Sequence, residues 1–446
     1  MLRAARLLLV ALLGVLIGAL GQARVAGAQA AEARLVYLAF PRGHPVWLLP
    51  VRVLVVEGAS PYRDVLDLLC RGPATSDTVV GSVLPRGSRV ERLSVAGGTA
   101  TVDLKPGRPE PRGRAADLAV QAIAHTLCQF PEIERVLVRV DGRPTGGAVE
   151  PDAGVLFSGF PDLDDDPRGG PVLALALRGV FSGYPDGRFR PAQPVSRAEA
   201  VKSLVEALAV WRLPLGAAAT VTESAWFSDV PAGHWVLPYL REAVRKGIVP
   251  EPRAGEDFRP DAPLDGATLV DWLYRATGAV DADGQPAGGP GGARKVPSPG
   301  EAEAWLVSRG ILGHRDGSWA ACREISRVEW AAVLAGALRL GGPDLYLATP
   351  VGQQSLEGEV VVAGAVRWPD GVVTLGVLDS RGRELAVRQA LLCSPAEEGE
   401  GWGWFAEWLH FPRPLTSSAG IIRITHQPPE GGDAAGVTMR IPVFIR

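Results

Sequence analysis

The spacing of hydrophobic positions changes along the chain and separates it into segments. Between residues 33 and 142, β-branched runs of strand character alternate with two stretches of helical period, one after Ser60 and one over about 113–128. Val136, Val138 and Val140 alternate with polar residues, as in a half-buried strand. The pattern predicts an α+β domain at 33–142, in which two helices cover one face of a small sheet.

A short polar pattern recurs in the middle of the chain. Ser-Arg-x-Glu begins at Ser196 and at Ser326, each time seven residues after an aromatic residue and before an apolar run of helical period. Phe258 stands seven residues before Asp265, where the pattern has decayed to Asp-Gly-Ala-Thr. Intervals of 69 and 61 residues between the copies indicate a mostly helical repeat array with a shared binding surface.

The predicted boundaries follow from these patterns. The array covers 157–341, after a Gly/Pro-rich linker at 143–156, and the segment 358–446 has only short β-rich runs separated by turn residues. The three copies are placed at about 157–210, 226–278 and 298–341, with a flexible insertion at 279–299. The chain is therefore predicted to be multidomain, ending in an all-β domain.

The N-terminus has the features of a secretory signal peptide. Arg3 and Arg6 precede an apolar run from Leu7 to Leu20, and Ala28-Gln29-Ala30 supplies small residues at the cleavage positions. The run is short for a bilayer span of ~20 residues, although an uncleaved anchor remains the alternative. We therefore expect residues 1–30 to be removed, leaving a secreted protein without a stable membrane span.

Composition narrows the classes of function. The net charge of −3 comes from mixed charges across 446 residues, so no basic surface points to nucleic acid. Four cysteines are too few for a disulfide scaffold. Cys70 and Cys128 end two predicted helices and could form a disulfide outside the cell, but two buried free thiols are the preferred interpretation.

No residue pattern typical of a catalytic or metal site is found. The six histidines are scattered, and Gly-x-Ser-x-Gly and P-loop patterns are absent. An EF-hand loop starting at Asp162 requires Glu at position 173, where Leu173 stands, so the acidic cluster at 162–166 is interpreted as a solvated turn. We expect no enzyme activity, no metal and no cofactor.

The repeated motif has a structural role and leaves one residue unexplained. Ser at the helix N-cap and Glu three residues later form a capping box, worth ~1 kcal/mol. Arg197 and Arg327 lie in the first helical turn, where a cation opposes the helix dipole. Each arginine therefore either grips an anion beside free helix amides or forms an internal ion pair.

Two further tryptophan features allow alternative roles. Trp402, Trp404 and Trp408 share strand parity and form either a sugar-stacking platform or, as we prefer, part of a buried core. Trp235, in the second copy, is either a sugar contact or a packing residue between repeat helices.

Residues 33–142 resemble the GerMN domain of sporulation and spore-germination proteins. The resemblance rests on motifs spread over the whole segment: Ser60-Pro61-Tyr62, Leu84-Pro85-Arg86-Gly87-Ser88, the run Gly98–Leu104, the run Gln129–Val136 and Val140-Asp141-Gly142. No catalytic residues are accepted for that family. Residues 358–446 resemble the immunoglobulin-like domain that accompanies GerMN, through Trp368-Pro369-Asp370-Gly371, the Gly401–Phe405 run and Ile441-Pro442-Val443.

The repeats resemble S-layer homology (SLH) repeats. Their ordered pattern appears as Phe227-Ser228-Asp229-Val230, Gly247-Ile248, Asp186-Gly187-Arg188-Phe189 and the two Ser-Arg-x-Glu motifs. The resemblance implies grooves between repeats that hold secondary cell-wall polysaccharide bearing acidic groups. Carried over by position, the glycan-binding residues are Arg197 and Arg327 for a carboxylate, Asp229, Asp162 and Trp235 for sugar contact, and Gly183 and Gly313 for close approach.

Two departures from the SLH pattern limit the expectation. Gly266 stands where the second copy requires Arg, and the third copy has no clear Phe-x-Asp opening. At most two complete grooves are therefore expected.

The sequence predicts a secreted, non-enzymatic cell-envelope protein. Its SLH repeats would anchor it to secondary cell-wall polysaccharide or peptidoglycan, with envelope or spore-coat proteins as further partners. Two alternatives remain: a scaffold of a sporulation or germination complex with degenerate, non-binding repeats, and a wall-polymer hydrolase.

Overall fold

The computed structural model divides the chain into two compact units. Unit 1 comprises Met1–Gly159, Leu177–Gly179 and Leu347–Arg446, and unit 2 comprises Phe160–Ala176 and Val180–Tyr346. The structure describes residues 31–39, 47–56, 60–74, 81–108, 111–163, 166–184, 186–211, 227–277, 297–313, 317–350, 352, 354–393, 401–413, 418–429 and 436–446. The predicted signal peptide (1–30) and most of the predicted insertion (279–296 of 279–299) lie outside these residues.

The N-terminal part of unit 1 alternates strands and helices as predicted. Its elements are β1 Ala31–Ala39, β2 Leu48–Val56, α1 Pro61–Arg71, β3 Arg89–Ala96, β4 Thr99–Lys105, α2 Arg114–Leu127, β5 Arg135–Val140 and β6 Arg143–Pro144. The Ser60 side chain accepts a hydrogen bond from the Arg63 amide, and Pro61 occupies the first turn, so α1 begins where its capping residues place it.

Among the residues that the structure describes, unit 2 contains helices separated by loops and a short strand near its end. They are α3 Gly169–Ala176, α4 Arg197–Trp211, α5 Leu237–Arg245, α6 Gly266–Thr277, α7 Pro299–Ser308, α8 Arg327–Ala337 and the strand β7 Gly341–Gly342. The chain returns to unit 1 through β8 Leu345–Thr349. None of the described helices is long and apolar enough to cross a bilayer.

The C-terminal part of unit 1 consists of strands, in agreement with the predicted all-β segment. They are β9 Ser355–Leu356, β10 Glu359–Arg367, β11 Val372–Asp379, β12 Glu384–Gln389, β13 Leu392–Cys393, β14 Trp402–His410, β15 Ser418–Gln427 and β16 Val437–Ile445. One sheet has the order β12-β11-β15-β16-β9. Trp402, Trp404 and Trp408 on β14 are all buried, which confirms their interpretation as core residues.

The predicted single small sheet for residues 33–142 is wrong. Strands β3-β4-β5-β6 form their own sheet, whereas the β1–β2 hairpin belongs to a larger one with the order β1-β2-β14-β10-β8. Helices α1 and α2 pack against β1 as well as against β3 and β5, respectively. The physical reason is that β2 has a free edge, and β14 fills it through parallel pairing of Arg52 with Glu407 and of Val53 with Trp408.

A buried ion pair lies at this junction between β2 and β14. Glu407 is fully buried, and its Oε1 accepts from Arg52 Nε at 2.7 Å and from the Leu391 amide at 2.9 Å. Arg388 Nη1 lies 3.8 Å from Glu407 Oε2. Burial raises the pKa of Glu407 to about 7, against the opposing effect of the two guanidinium groups.

The four cysteines are free thiols. Cys70 is buried, and burial raises its pKa to about 12, whereas Cys128 is only partly buried. The Cys70–Cys128 disulfide alternative is therefore not what this structure contains.

Candidate functional site

The helices of unit 2 close into a ring of three repeats. The second helix of each repeat packs on the first helix of another: α4 on α5, α6 on α7, and α8 on α3. At the centre, three backbone hydrogen bonds run in a circle. Val195 N donates to Ile325 O at 2.9 Å, Ile325 N to Leu264 O at 3.0 Å, and Leu264 N to Val195 O at 2.8 Å. We call this arrangement the repeat ring. It places the end of the loop that contains Phe189, Phe258 or Trp319 against the N-terminus of a helix from another repeat.

Both predicted capping boxes are present. In repeat one, Glu199 N donates to Ser196 Oγ at 3.2 Å, and Ser196 N donates to Glu199 Oε2 at 3.0 Å. Ser326 and Glu329 exchange the same pair of bonds in repeat three. In repeat two, Asp265 caps α6 by accepting from the Thr268 amide at 2.9 Å, so the decayed motif still starts a helix.

Arg197 lies at the interface between repeats one and two. Its Nε donates to Phe258 O at 2.8 Å and its Nη1 to Thr268 Oγ1 at 3.0 Å, while the guanidinium lies over the Phe258 and Trp272 rings. Asp265 Oδ2 is 3.8 Å away. Nη2 makes no hydrogen bond with any described residue, and the side chain is 20 % exposed. Burial lowers the pKa of Arg197.

Arg327 holds the equivalent place between repeats three and one. Its Nε donates to Phe189 O at 2.9 Å, and its Nη1 donates to Glu199 Oε1 at 2.9 Å. The guanidinium lies over the rings of Tyr184 and Phe189, and the residue is only 8 % exposed. Of the two roles that the sequence left open, the internal ion pair is therefore the one observed for Arg327.

The third interface, between repeats two and three, has a different construction. Gly266 occupies the position of the missing arginine, and its amide donates to Cys322 O at 2.9 Å. A Cβ at this position would lie 1.7 Å from Trp319 O, in the space that the arginine side chain uses in the other two interfaces. The backbone of repeat three thus fills the third interface, and only two interfaces carry an arginine.

The aspartates near the start of repeats one and two hold the backbone of a loop in the same repeat. Asp162 accepts from the amides of Phe189 and Arg190 at 2.9 and 2.7 Å. Asp229 accepts from those of Phe258 and Arg259 at 2.7 and 2.6 Å. Asp162 therefore fixes the loop whose Phe189 carbonyl accepts from Arg327. Asp229 fixes the loop whose Phe258 carbonyl accepts from Arg197. Sugar contact by the two aspartates stays a prediction.

Glu303 holds the corresponding loop of repeat three, a role that the sequence analysis did not identify. Its carboxylate accepts from the amides of Trp319 and Ala320 at 2.8 and 3.1 Å and from Ser318 Oγ at 2.6 Å. Glu303 lies within α7, 16 residues before Trp319, whereas Asp229 lies 29 residues before Phe258 in a loop. Neither residue type nor spacing indicated the equivalence.

The remaining predicted site residues differ in accessibility. Trp235 is 50 % exposed and stacks against His234, so it does not pack in the core. Gly183 has φ +69°, and a Cβ there would approach Phe160 Cε1 to 2.5 Å, so this position requires glycine. Gly313 has open space around its Cα, and its carbonyl accepts from Trp319 Nε1 at 3.1 Å.

Two family models match parts of this chain. Residues 36–146 match the family model described as Germane, sporulation and spore germination, and residues 159–201 match the S-layer homology domain model. The chain carries a GerMN domain and an SLH domain. The matched SLH segment ends within α4 and includes Asp162, Gly183 and Arg197.

The relatives share only parts of the chain. A cell surface protein of Thermoanaerobacter kivui is 30% identical over 125 residues, which is 28% of this chain and 16% of that protein. The first GerMN domain of the sporulation protein GerM from Bacillus subtilis is 24% identical, with 28% of this chain and 96% of that chain covered, at a TM-score of 0.22. A putative lipoprotein from Clostridium perfringens is 15% identical, with coverage of 27% and 82%, at a TM-score of 0.18.

Proposed function

We propose that this chain is a non-enzymatic cell-envelope protein that the repeat ring anchors to an acidic cell-wall polysaccharide. The observation that carries the proposal is Arg197: a guanidinium held over two aromatic rings, with Nη2 unbonded among the described residues and a side chain that solvent reaches. A planar, fixed guanidinium suits the bidentate recognition of a carboxylate on a sugar.

Exposed aromatic surface in the same unit supports the proposal. Trp235 presents half of its surface to solvent, which is unusual for tryptophan and is suited to stacking on a sugar ring. Arg327 contributes less in this proposal, because Glu199 and Phe189 O already engage its Nη1 and Nε. Engagement of two interfaces by one polymer would add avidity.

The test compares wall binding of full-length variants. Arg197→Ala should reduce co-sedimentation with purified cell walls by about tenfold or more, because it removes a charge-assisted contact. Arg253→Ala removes the same charge from an exposed arginine of the same unit that forms no hydrogen bond with Arg197, and it should leave binding unchanged. Thermal unfolding of both variants checks that unit 2 stays folded, and wild-type retention by Arg197→Ala would refute the role of this interface.

Arg327→Ala needs a separate control, since it leaves Glu199 without its ion-pair partner. Glu199→Gln breaks the same pair but keeps the arginine. If Arg327 binds the polymer, Arg327→Ala should weaken wall binding more than Glu199→Gln does at equal stability. Equal retention would assign Arg327 to structure alone.

The proposal includes the roles of unit 1. The GerMN domain and the C-terminal strands serve contacts with envelope or spore-coat proteins in sporulation or germination, and residues 358–446 are assigned to an immunoglobulin-like fold. The GerMN family match and the distribution of the C-terminal strands over two sheets support these assignments. A turnover assay on muropeptides tests the non-enzymatic part, and measurable hydrolysis would refute it.

A second candidate is a scaffold whose repeats do not bind glycan. The closed interface at Gly266 and the internal ion pair of Arg327 favour it. Residues 157–346 contain all of unit 2, so an isolated fragment of this range can be compared with the full chain. Wall binding by both favours anchoring, whereas capture of envelope proteins by the full chain without wall binding favours the scaffold.

A further inference from the structure

A cavity with several charged lining residues lies on unit 1, outside the repeat ring. Its volume is about 420 Å³, within the range of small-molecule sites. It is formed by the C-terminal end of α1, the residues just after it and the turn that leads into β3. Its lining residues are Asp67, Cys70, Arg71, Pro73, Ala74, Arg86, Gly87, Ser88 and Arg89.

The cavity is lined by more basic than acidic residues. Three arginines, Arg71, Arg86 and Arg89, and one acidic residue, Asp67, contribute to it. Burial raises the pKa of Asp67, although the Arg63 guanidinium opposes this effect. Arginine suits oxyanions because its planar guanidinium offers several donors in a fixed fork.

The walls that carry these arginines are fixed by hydrogen bonds. Arg71 Nη1 donates to Glu359 Oε1 at 2.9 Å, and its guanidinium lies 5.1 Å from the Trp408 ring centroid. The turn before β3 is closed by Ser88 N and Ser88 Oγ, which both donate to Pro85 O, at 3.0 and 2.6 Å. Arg71 and the turn before β3 are therefore ordered before a ligand binds, which lowers the entropic cost at these two places.

Arg86 differs from its neighbours. Arg71 is paired with Glu359, and Arg89 lies 3.6 Å from Glu91. In the described part of the chain, the Arg86 side chain has no hydrogen bond and no ion pair, although it is exposed at the rim of the cavity. An unpaired guanidinium beside a preorganised one is the group that an incoming anion would engage.

We infer that this cavity on the GerMN domain binds a small oxyanion-bearing molecule, a sugar-sized carboxylate or phosphate. Arg86 supplies the free guanidinium and Arg71 the fixed one. The inference concerns a site separate from the repeat ring and does not depend on glycan binding there. It gives the GerMN domain a ligand-binding role of its own.

The test is calorimetric titration of the full-length protein with inorganic phosphate, with glucuronate and with neutral glucose. We expect saturable binding of at least one anion in the millimolar range and none of glucose. Binding of phosphate alone or of glucuronate alone identifies which oxyanion the site takes. Absence of saturable binding for both anions would overturn the inference.

Variants locate the binding. Arg86→Ala should lower the affinity for the anion about tenfold or more. Arg86→Lys should lower it less, because lysine keeps the charge but lacks the planar guanidinium. Arg143→Ala, at an exposed arginine of the same domain outside the cavity, is the matched control and should change affinity less than twofold. Wild-type affinity in Arg86→Ala, or equal losses in both alanine variants, would refute the site. Arg71 is left unchanged because its removal would take away the arginine partner of the buried Glu359 carboxylate and destabilise the fold.

Discussion

The closed interface between repeats two and three makes a sharp prediction about Gly266. Replacing it with alanine adds a Cβ that would meet Trp319 O at 1.7 Å, Trp319 C at 2.8 Å and Cys322 Cβ at 3.1 Å. Two of these three atoms belong to backbone, so no side-chain rotation relieves the overlap. The loop of repeat three must move away from α6.

The expected cost combines three contributions. Overpacking costs about 1–3 kcal/mol, and weakening of the Gly266 N to Cys322 O bond costs about 1 kcal/mol. The higher helix propensity of alanine returns at most about 1 kcal/mol. We expect a net loss of about 2 kcal/mol, which lowers the melting temperature of a unit of this size by about 4–8 °C.

Gly300 provides a matched control for the assay. It also lies in the first turn of a helix of unit 2, and a Cβ there would have no heavy atom within 4 Å. Gly300→Ala should leave the melting temperature unchanged or raise it slightly. Calorimetry of the full-length variants gives the transition of unit 2, and hydrogen exchange in α6 locates the change. Equal melting temperatures for the two variants would refute the proposed backbone closure.

The remaining predictions concern the pH dependence of unit 1. Glu407 keeps its proton up to a pKa of about 7 when folded, whereas the unfolded chain loses it near the ordinary value of 4.5, so the folded state binds more protons between these values. Its contribution to the unfolding free energy should therefore decrease as pH rises from about 4.5 to 7, and Glu407→Gln should remove this slope in denaturant titrations. For Glu359, burial alone would raise the pKa, but hydrogen bonds from His410, Arg71 and the Ala74 amide lower it to about 2. The stability from Glu359 should be present above about pH 4.5 and be lost as pH falls towards 2; an unchanged acid slope in Glu359→Gln would contradict this assignment.

Elements whose cause lies within a few residues could be predicted from sequence. The capping boxes at Ser196 and Ser326 form because the Ser oxygen and the Glu carboxylate reach amides only three positions away. The start of α1 follows from Ser60 and Pro61 in the same way. The buried tryptophans of β14 were also predicted correctly, since strand alternation and side-chain size both favour a core.

Features that join distant segments could not be predicted. The pairing of β2 with β14 joins Arg52 to Glu407 across 355 residues, and neither strand carries a local sign of its partner. Glu303 replaces the opening aspartate from a different element, because only the position of the carboxylate matters for holding two loop amides. Glu199 was identified as a cap, but its second oxygen binds Arg327 of another repeat.

The sequence by itself determined the order of the strand-rich and helical segments, the repeat period and the helix starts, since these depend on short-range hydrogen bonding and on the spacing of apolar residues. Only the tertiary structure decided how the two arginines are used. Arg197 lies 3.8 Å from the Asp265 carboxylate and keeps Nη2 unbonded among the described residues, whereas Arg327 donates a hydrogen bond to Glu199 at 2.9 Å. It also decided that Gly266 closes the third interface. The reason is that a side chain's partners depend on which backbone the closed ring brings beside it, and that proximity is set by packing over the whole unit.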